Sequence, residues 1–380
     1  MSALNTKKGI MVCGHGSRDK GAEMEFSLVA EGLKKRFPDM PIEYGFLEYS
    51  APNIHMGLNS LIDQGVEHIY AVPGMLFAAT HAKNDIPSVL TTFEEKNEGL
   101  NVTYGQELGL QQPMIEAFQT RIYESLGLDA NNPPTELYDT MLVVVGRGTS
   151  DSEANAEAAK LTRIVSENMG FGWSDTVYSG VTYPSVGVGL EKLLKLGYKR
   201  IVVAPYFLFT GRLIKRIYGY IDKVATENPG VEFVKTPYLR DHDKVIDAFE
   251  FRVREIMEQK TVNNEDLMST FKRRLAAGEV DVHHHHAEYQ DSTQHHHDHN
   301  HSHDHGHEHS HTHSHHHDNK AVEPHSHGVY KHIWHPLGPR TMIGEGICNC
   351  FMGQFPKELL EEEIERINNG VQGEALAHRK

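Results

Sequence analysis

The sequence predicts an α/β protein made of two tandem copies of one domain, each a parallel sheet flanked by helices, followed by a histidine-rich tail. Three observations predict it. Strand-like and helix-like stretches alternate up to about Glu258, the pattern of a parallel sheet with helices on both faces. The second half then repeats the first at a constant offset of 132 positions. Beyond the repeats the chain becomes low-complexity and rich in histidine.

The first copy reads in order. Gly9 to Cys13 is a buried strand, and GHGSRDKG is a glycine-rich turn. Ala22 to Arg36 carries Phe26, Val29, Ala30 and Leu33 at helical spacing. Ile42 to Leu47 is a second strand, Pro52 to Gln64 a second helix and His68 to Val72 a third strand. A loop holding His81 follows, then a helix from about Ile86, a short strand near Val102 and a helix over Gln112 to Leu126.

From Met141 the pattern restarts. Gly14 falls on Gly146, Gly16 on Gly148, Ser17 on Thr149 and Asp19 on Asp151. Pro52, Gly57, Leu58 and Gly65 fall on Pro184, Gly189, Leu190 and Gly197. Pro73, Phe77 and Lys83 fall on Pro205, Phe209 and Lys215 without a gap. A register held this long marks an internal repeat. The division that follows is a first copy over 1–128, a linker over 129–137 around Pro133 and Pro134, and a second copy over 138–260. A connector spans 261–282, a histidine tract 283–327, and a cysteine-containing tail 328–380 with an acidic helix near Lys357 to Asn368.

Composition narrows the function. Lys and Arg number 37 against 52 Asp and Glu, a net charge of −15. That balance argues against nucleic acid as a partner, because phosphate neutralisation needs clustered cations. It suits divalent cations, and a poly-carboxylate ligand would need a locally basic pocket. Neither a signal peptide nor a membrane span is evident. The three cysteines, Cys13, Cys348 and Cys350, do not form a disulfide framework, so a reducing cytoplasm is expected.

Duplicated domains keep what the fold needs and lose what a single active site needs. His15 faces Arg147, Glu48 faces Gly180 and His81 faces Leu213. All three first-copy residues follow strands, where open parallel sheets bind ligands. Two imidazoles and a carboxylate suit a divalent transition metal with positions left for substrate. Taken singly, each has a plainer reading: His15 as a turn residue, Glu48 as a solvated acid, His81 as a helix start. Their joint loss from the second copy favours function.

With these residues in view, the chain resembles the long form of sirohydrochlorin cobaltochelatase, of the class II tetrapyrrole chelatases. The resemblance rests on GHGSRD at Gly14–Asp19, FLEYSAPNI at Phe46–Ile54 and PGMLFAATHAKNDIP at Pro73–Pro87, and extends through both repeats. It implies a chelatase-like fold and insertion of Co2+ into sirohydrochlorin for cobalamin synthesis, with His15, Glu48 and His81 holding the metal. Iron insertion for sirohaem and nickel insertion for coenzyme F430 are the family's other reactions. The macrocycle's carboxylates call for cations, for which Arg18, Lys83, Arg147 and Arg212 are candidates, with Ser17 and Thr80 as neutral donors.

Of the 28 histidines, 20 lie between His283 and His327, interleaved with Asp, Ser and Glu. Such a tract builds no apolar core and is expected to be disordered without metal. Its imidazoles bind Co2+, Ni2+, Zn2+ and Cu2+ without selecting cobalt, so a metal reservoir is expected, with a solvated linker as the plainer alternative. In the tail, Cys348 and Cys350 resemble the position of an iron–sulfur motif in long-form relatives. Two thiolates fall short of a cluster's set unless two chains share it in a homodimer, and a Zn2+ or Co2+ site with His332 and His335 is equally open. A storage protein that does no chemistry is the rival from another class. A periplasmic-type binding module is disfavoured by the lack of a signal peptide.

Overall fold

In the computed structural model, described over residues 6–133, 136–258 and 267–280, the alternation becomes two four-stranded parallel sheets. The first contains β1 (Lys8–Gly14), β2 (Ile42–Phe46), β3 (His68–Pro73) and β4 (Asn101–Tyr104) in the order β2-β1-β3-β4. Its helices are α1 (Lys20–Arg36), α2 (Ile54–Asp63), α3 (Ile86–Lys96) and α4 (Gln112–Leu126). The second contains β5 (Leu137–Gly146), β6 (Phe171–Tyr178), β7 (Arg200–Pro205) and β8 (Glu232–Lys235) in the order β6-β5-β7-β8. Its helices are α5 (Ser152–Met169), α6 (Val186–Leu194), α7 (Arg212–Glu227) and α8 (Asp243–Met257).

The strands form where the chain is apolar on both faces. Ile10 to Cys13 and Met141 to Val145 are fully buried, as expected of central parallel strands. Helix starts follow side-chain capping: Asp19 accepts from the Gly21 amide and Asp151 from the Glu153 and Ala154 amides. The offset of 132 survives in fine detail. Phe46 bridges Asn53 and Tyr178 bridges Ser185, and the Leu47 and Ser179 amides donate to the Gly14 and Gly146 carbonyls. These last bonds place Glu48 opposite Gly180, the pairing whose neighbours match least well in sequence.

The halves are fused. One face of each sheet contributes to a common core holding Ile10 and Val12 from β1 and Leu142 and Val144 from β5. The helices α4 and α8 pack on each other, and α8 crosses to lie on α1 and β3. Glu25 on α1 is 5% exposed, and its carboxylate accepts from the Thr210 amide and the Tyr238 hydroxyl, both at 2.7 Å. Among the described residues, the partners of that buried acid all come from the other half.

Two features depart from the sequence expectation. His81 is not in a loop but opens a π-helical turn, His81–Asp85, that runs straight into α3. An α-helical register would ask Pro87 for an N–H it lacks, and the Ile86 amide instead reaches back to the His81 carbonyl. Within the expected connector lies a further helix, α9 (Leu267–Ala276). Its Met268 and Phe271 are buried in the first copy's core. The histidine tract and the cysteine tail, including His332, His335, Cys348 and Cys350, lie outside the described residues. No helix among the described residues is long and apolar enough to cross a membrane.

Candidate active site

The strand order β2-β1-β3 makes the space between β1 and β3 the topological switch point of the first sheet, where α/β proteins bind ligands beyond the carboxyl ends of strands. His15 leaves β1, Glu48 leaves β2, and His81 follows β3. The turns carrying the first two are clamped together: the Glu48 amide donates to the His15 carbonyl at 3.1 Å. Gly16 makes this approach feasible. Its φ is +96°, and a Cβ there would collide with the Glu48 carbonyl oxygen. Ser50 adds a clip, its hydroxyl accepting from the Ser17 amide at 2.9 Å and donating to the Ser17 carbonyl at 2.8 Å.

One candidate ligand atom each from His15, Glu48 and His81 gathers within 4.8 Å of the others. The His15 and His81 Nε2 atoms are 2.9 Å apart, and Glu48 Oε1 is 3.5 Å from His15 Nε2. The other ring nitrogens are engaged. His15 Nδ1 lies 3.1 Å from the Gly16 carbonyl and His81 Nδ1 lies 2.7 Å from Asp85 Oδ2. A carbonyl and a carboxylate accept, so both Nδ1 atoms donate and each neutral ring keeps its lone pair on Nε2. Two lone pairs facing at this separation repel until a proton or a cation lies between them. With metal–nitrogen bonds of about 2.0–2.1 Å, an ion shared by both nitrogens would subtend an angle of roughly 90°, as adjacent ligands of one metal do.

The electrostatics keep the His15 ring neutral. Burial, the neighbouring His81 and Arg147 hold His15 well below the usual imidazole range, so a proton is poorly accepted there. His81 is buried, and Asp85 beneath it is 0% exposed. Asp85 also falls opposite Ile217, a fourth functional-looking residue absent from the second copy. Sequence reasoning passed over it; the signal was its spacing of four from His81 on helix-forming sequence.

Around this cluster the anticipated cations divide. Arg147, at the position equivalent to His15, has an accessible side chain and feels the charge of Glu48. The second copy therefore borders the cluster of His15, Glu48 and His81. Arg18 is exposed and lies 4.8 Å over the ring of Tyr49. Tyr49 was not anticipated: it holds φ of +66°, unusual for a bulky residue, is 46% exposed and faces His15 at a ring separation of 6.4 Å. Thr80 is half-buried at the start of the π turn.

The remaining candidates are held by other partners. The Lys83 ammonium pairs with Asp151 at 2.7 Å and Glu153 at 3.0 Å, so it joins the halves. Arg212 is exposed at the first turn of α7, where its charge acts on Asp19. The Ser17 hydroxyl accepts from the Asp19 amide at 3.1 Å, as Thr149 does from the Asp151 amide at the same distance. Cys13 is a free thiol, buried, and burial pushes its pKa up, so it is a poor nucleophile.

Comparison with known proteins adds to this geometry. The CbiX family model matches residues 9–125 and again residues 141–256. A sirohydrochlorin cobaltochelatase from Priestia megaterium is 35% identical over 278 residues, covering 73% of this chain and 88% of the relative. A sirohydrochlorin ferrochelatase from the same organism is 31% identical over 253 residues, covering 66% and 91%. Among solved structures, the sirohydrochlorin chelatase SirB from Bacillus subtilis subspecies spizizenii in complex with cobalt superposes with a TM-score of 0.56 at 26% identity. It covers 67% of this chain and 97% of that one.

Proposed function

Since this chain belongs to the CbiX family, we propose that it is a sirohydrochlorin chelatase whose metal is Co2+, held for insertion by His15, Glu48 and His81. The observation that carries this reading is the pair of facing Nε2 atoms, 2.9 Å apart, whose rings are each tied down at Nδ1. A single carboxylate and two neutral imidazoles bind a divalent ion while leaving positions for the macrocycle's nitrogens.

Insertion replaces pyrrole N–H protons by the metal on one face of the ring. The metal must first shed water, and the partly buried cluster does that by exchanging hydration for His15, His81 and Glu48. The half-exposed Glu48 can carry protons outward as the pyrrole nitrogens release them. Arg147 and Arg18 line the approach and meet the macrocycle's carboxylates, while the Tyr49 ring offers an apolar face beside His15 for the flat macrocycle. The cation-lined cleft answers the difficulty posed by the chain's net charge of −15.

Cobalt is supported by the longer match, at higher identity, to the cobaltochelatase relative. The ferrochelatase relative keeps Fe2+ as the second reading. The histidine tract serves as a metal reservoir in this account and takes no part in the insertion step. Storage alone gives no reason for His15, Glu48, His81 and Asp85 to meet in one copy and be absent from the other. Anaerobic insertion assays at equal buffered free Co2+ and Fe2+ decide the metal: faster turnover with Co2+ is expected, and faster turnover with Fe2+ would replace cobalt by iron.

A further inference from the structure

The π turn that carries His81 is supported by a helix that belongs to neither repeat. The segment Leu267–Ala276 has apolar residues Leu267, Met268, Phe271 and Leu275 on one face, and α9 lays that face on the first copy. Phe271 is 0% exposed and shares a core with Ile86, Leu90 and Tyr104. Thr91 on α3 donates its hydroxyl to Met268 Sδ at 3.3 Å, and Lys272 pairs with Glu94 at 3.6 Å. The helix packs against α3, β4 and the π turn itself.

Its polar contact falls on the turn that matters. Arg274 Nη1 donates to Asn84 Oδ1 at 3.0 Å. Asn84 is 8% exposed and directly precedes Asp85, the residue bonded to His81 Nδ1. The Tyr104 hydroxyl on β4 donates to the Ala82 carbonyl at 3.1 Å. The five residues His81–Asp85 are therefore held at Ala82 by the sheet and at Asn84 by α9. A π turn is a wide, weakly bonded stretch of helix, so its side-chain directions depend on such outside contacts. Among the described residues, the second copy has no π turn and carries Leu213 in place of His81, and α9 has its principal contacts on the first copy.

We propose that α9 is a positioning element of the metal site, and that Arg274 acts on His81 through Asn84 and the π turn. The role in metal insertion rests on the chelatase reading of the site; the mechanical coupling does not. Loss of the Arg274–Asn84 bond frees the turn to shift, and the His81 Nε2 then meets the ion in fewer of its conformations. The consequence is a weaker hold on metal with an unchanged hold on the macrocycle.

The test uses the full-length protein with Arg274→Ala, Arg274→Lys and Asn84→Ala. Insertion is measured against buffered free Co2+, so that the histidine tract does not set the metal concentration, and separately against sirohydrochlorin. Amide hydrogen exchange is followed over 82–86. In Arg274→Ala the half-saturating free Co2+ should rise about three- to tenfold, below the 10–100-fold typical of residues that bond a ligand directly. The KM for sirohydrochlorin should stay put, and exchange should quicken at 82–86 but not in the second copy. Arg274→Lys, which keeps a donor for Asn84, should recover most of the difference, and Asn84→Ala should reproduce it. Wild-type metal dependence with wild-type exchange in Arg274→Ala would overturn the proposal, as would uniform loosening with a lowered Tm and equal loss in both KM values. If the wild-type protein inserts no metal while exchange at 82–86 still quickens selectively, the coupling stands and the chelatase reading falls.

Discussion

Lys83 reaches from the first copy to Asp151 of the second at 2.7 Å, and Lys215 of the second reaches back to Asp19 of the first at 2.6 Å. The two bridges are one contact repeated at an offset of 132, and they explain why Asp19, Asp151, Lys83 and Lys215 are shared between the copies. Each aspartate also caps a helix, α1 or α5. What the copies have in common is thus a reciprocal lock. What they do not share is the cluster of His15, Glu48, His81 and Asp85.

The lock makes a stability prediction. Lys83→Met and Lys215→Met should each lower stability by about 1 kcal/mol or less, the range of partly exposed ion pairs. Urea unfolding of the single and double variants checks this, and the deficits should shrink in high salt.

Stability should also fall with acid. Burial holds His15, His55, His68 and His242 below the usual imidazole range in the folded protein. Unfolding restores values of about 6.5, so the unfolded chain takes up protons first. The stabilisation is present above about pH 6.5 and is lost as pH falls through the folded values. Asp19 adds to the loss at lower pH, because its hydrogen bond to Lys215 lowers its carboxyl pKa. Tm should therefore drop from pH 7 to pH 5; a Tm that held or rose would contradict these directions.

The Asp85 carboxylate should matter almost as much as the imidazole it supports. Asp85→Asn removes the charge beneath His81 and lets an amide N–H face Nδ1. We expect a 10–100-fold rise in the free Co2+ needed for half-maximal insertion, with little change in KM for sirohydrochlorin. The reverse split would assign Asp85 to the macrocycle.

Much of this was legible in the sequence. The offset of 132, read from matched glycines and prolines, anticipated both sheets, and the mismatches within it picked out His15, Glu48 and His81. Strand-end placement was inferable because parallel sheets present their active residues there. The rest depended on contacts that no local pattern carries. The π turn precedes Pro87 and is contacted by Tyr104 and Arg274, the last being 190 residues from its partner Asn84. Tyr49 owes its position to a backbone conformation that propensity disfavours. The ion pairs of Lys83 could not be read from the sequence, because its partners, Asp151 and Glu153, lie in the other copy.

Tyr49 and Arg147 supply a test of the macrocycle's side of the cleft. Tyr49→Ala and Arg147→Ala should each raise the KM for sirohydrochlorin, by about three- to tenfold for loss of roughly 1 kcal/mol of contact. Tyr49→Phe should be close to wild type, since the proposed contact uses the ring and not the hydroxyl. An unchanged KM in either alanine variant removes that residue from the site.

The reservoir role has its own signature. Deleting residues 283–327 should leave turnover at saturating Co2+ nearly unchanged and depress it when metal is limiting. Equal loss at both concentrations would count against storage.

The most direct measurement is anaerobic metal insertion into sirohydrochlorin, followed by its absorption change, with Co2+, Fe2+ and Ni2+ on the wild-type protein and on His81→Ala. Rapid Co2+ insertion that collapses in the variant is the predicted result. No insertion above the uncatalysed rate with any of the three metals would contradict the account and leave metal storage as the better description.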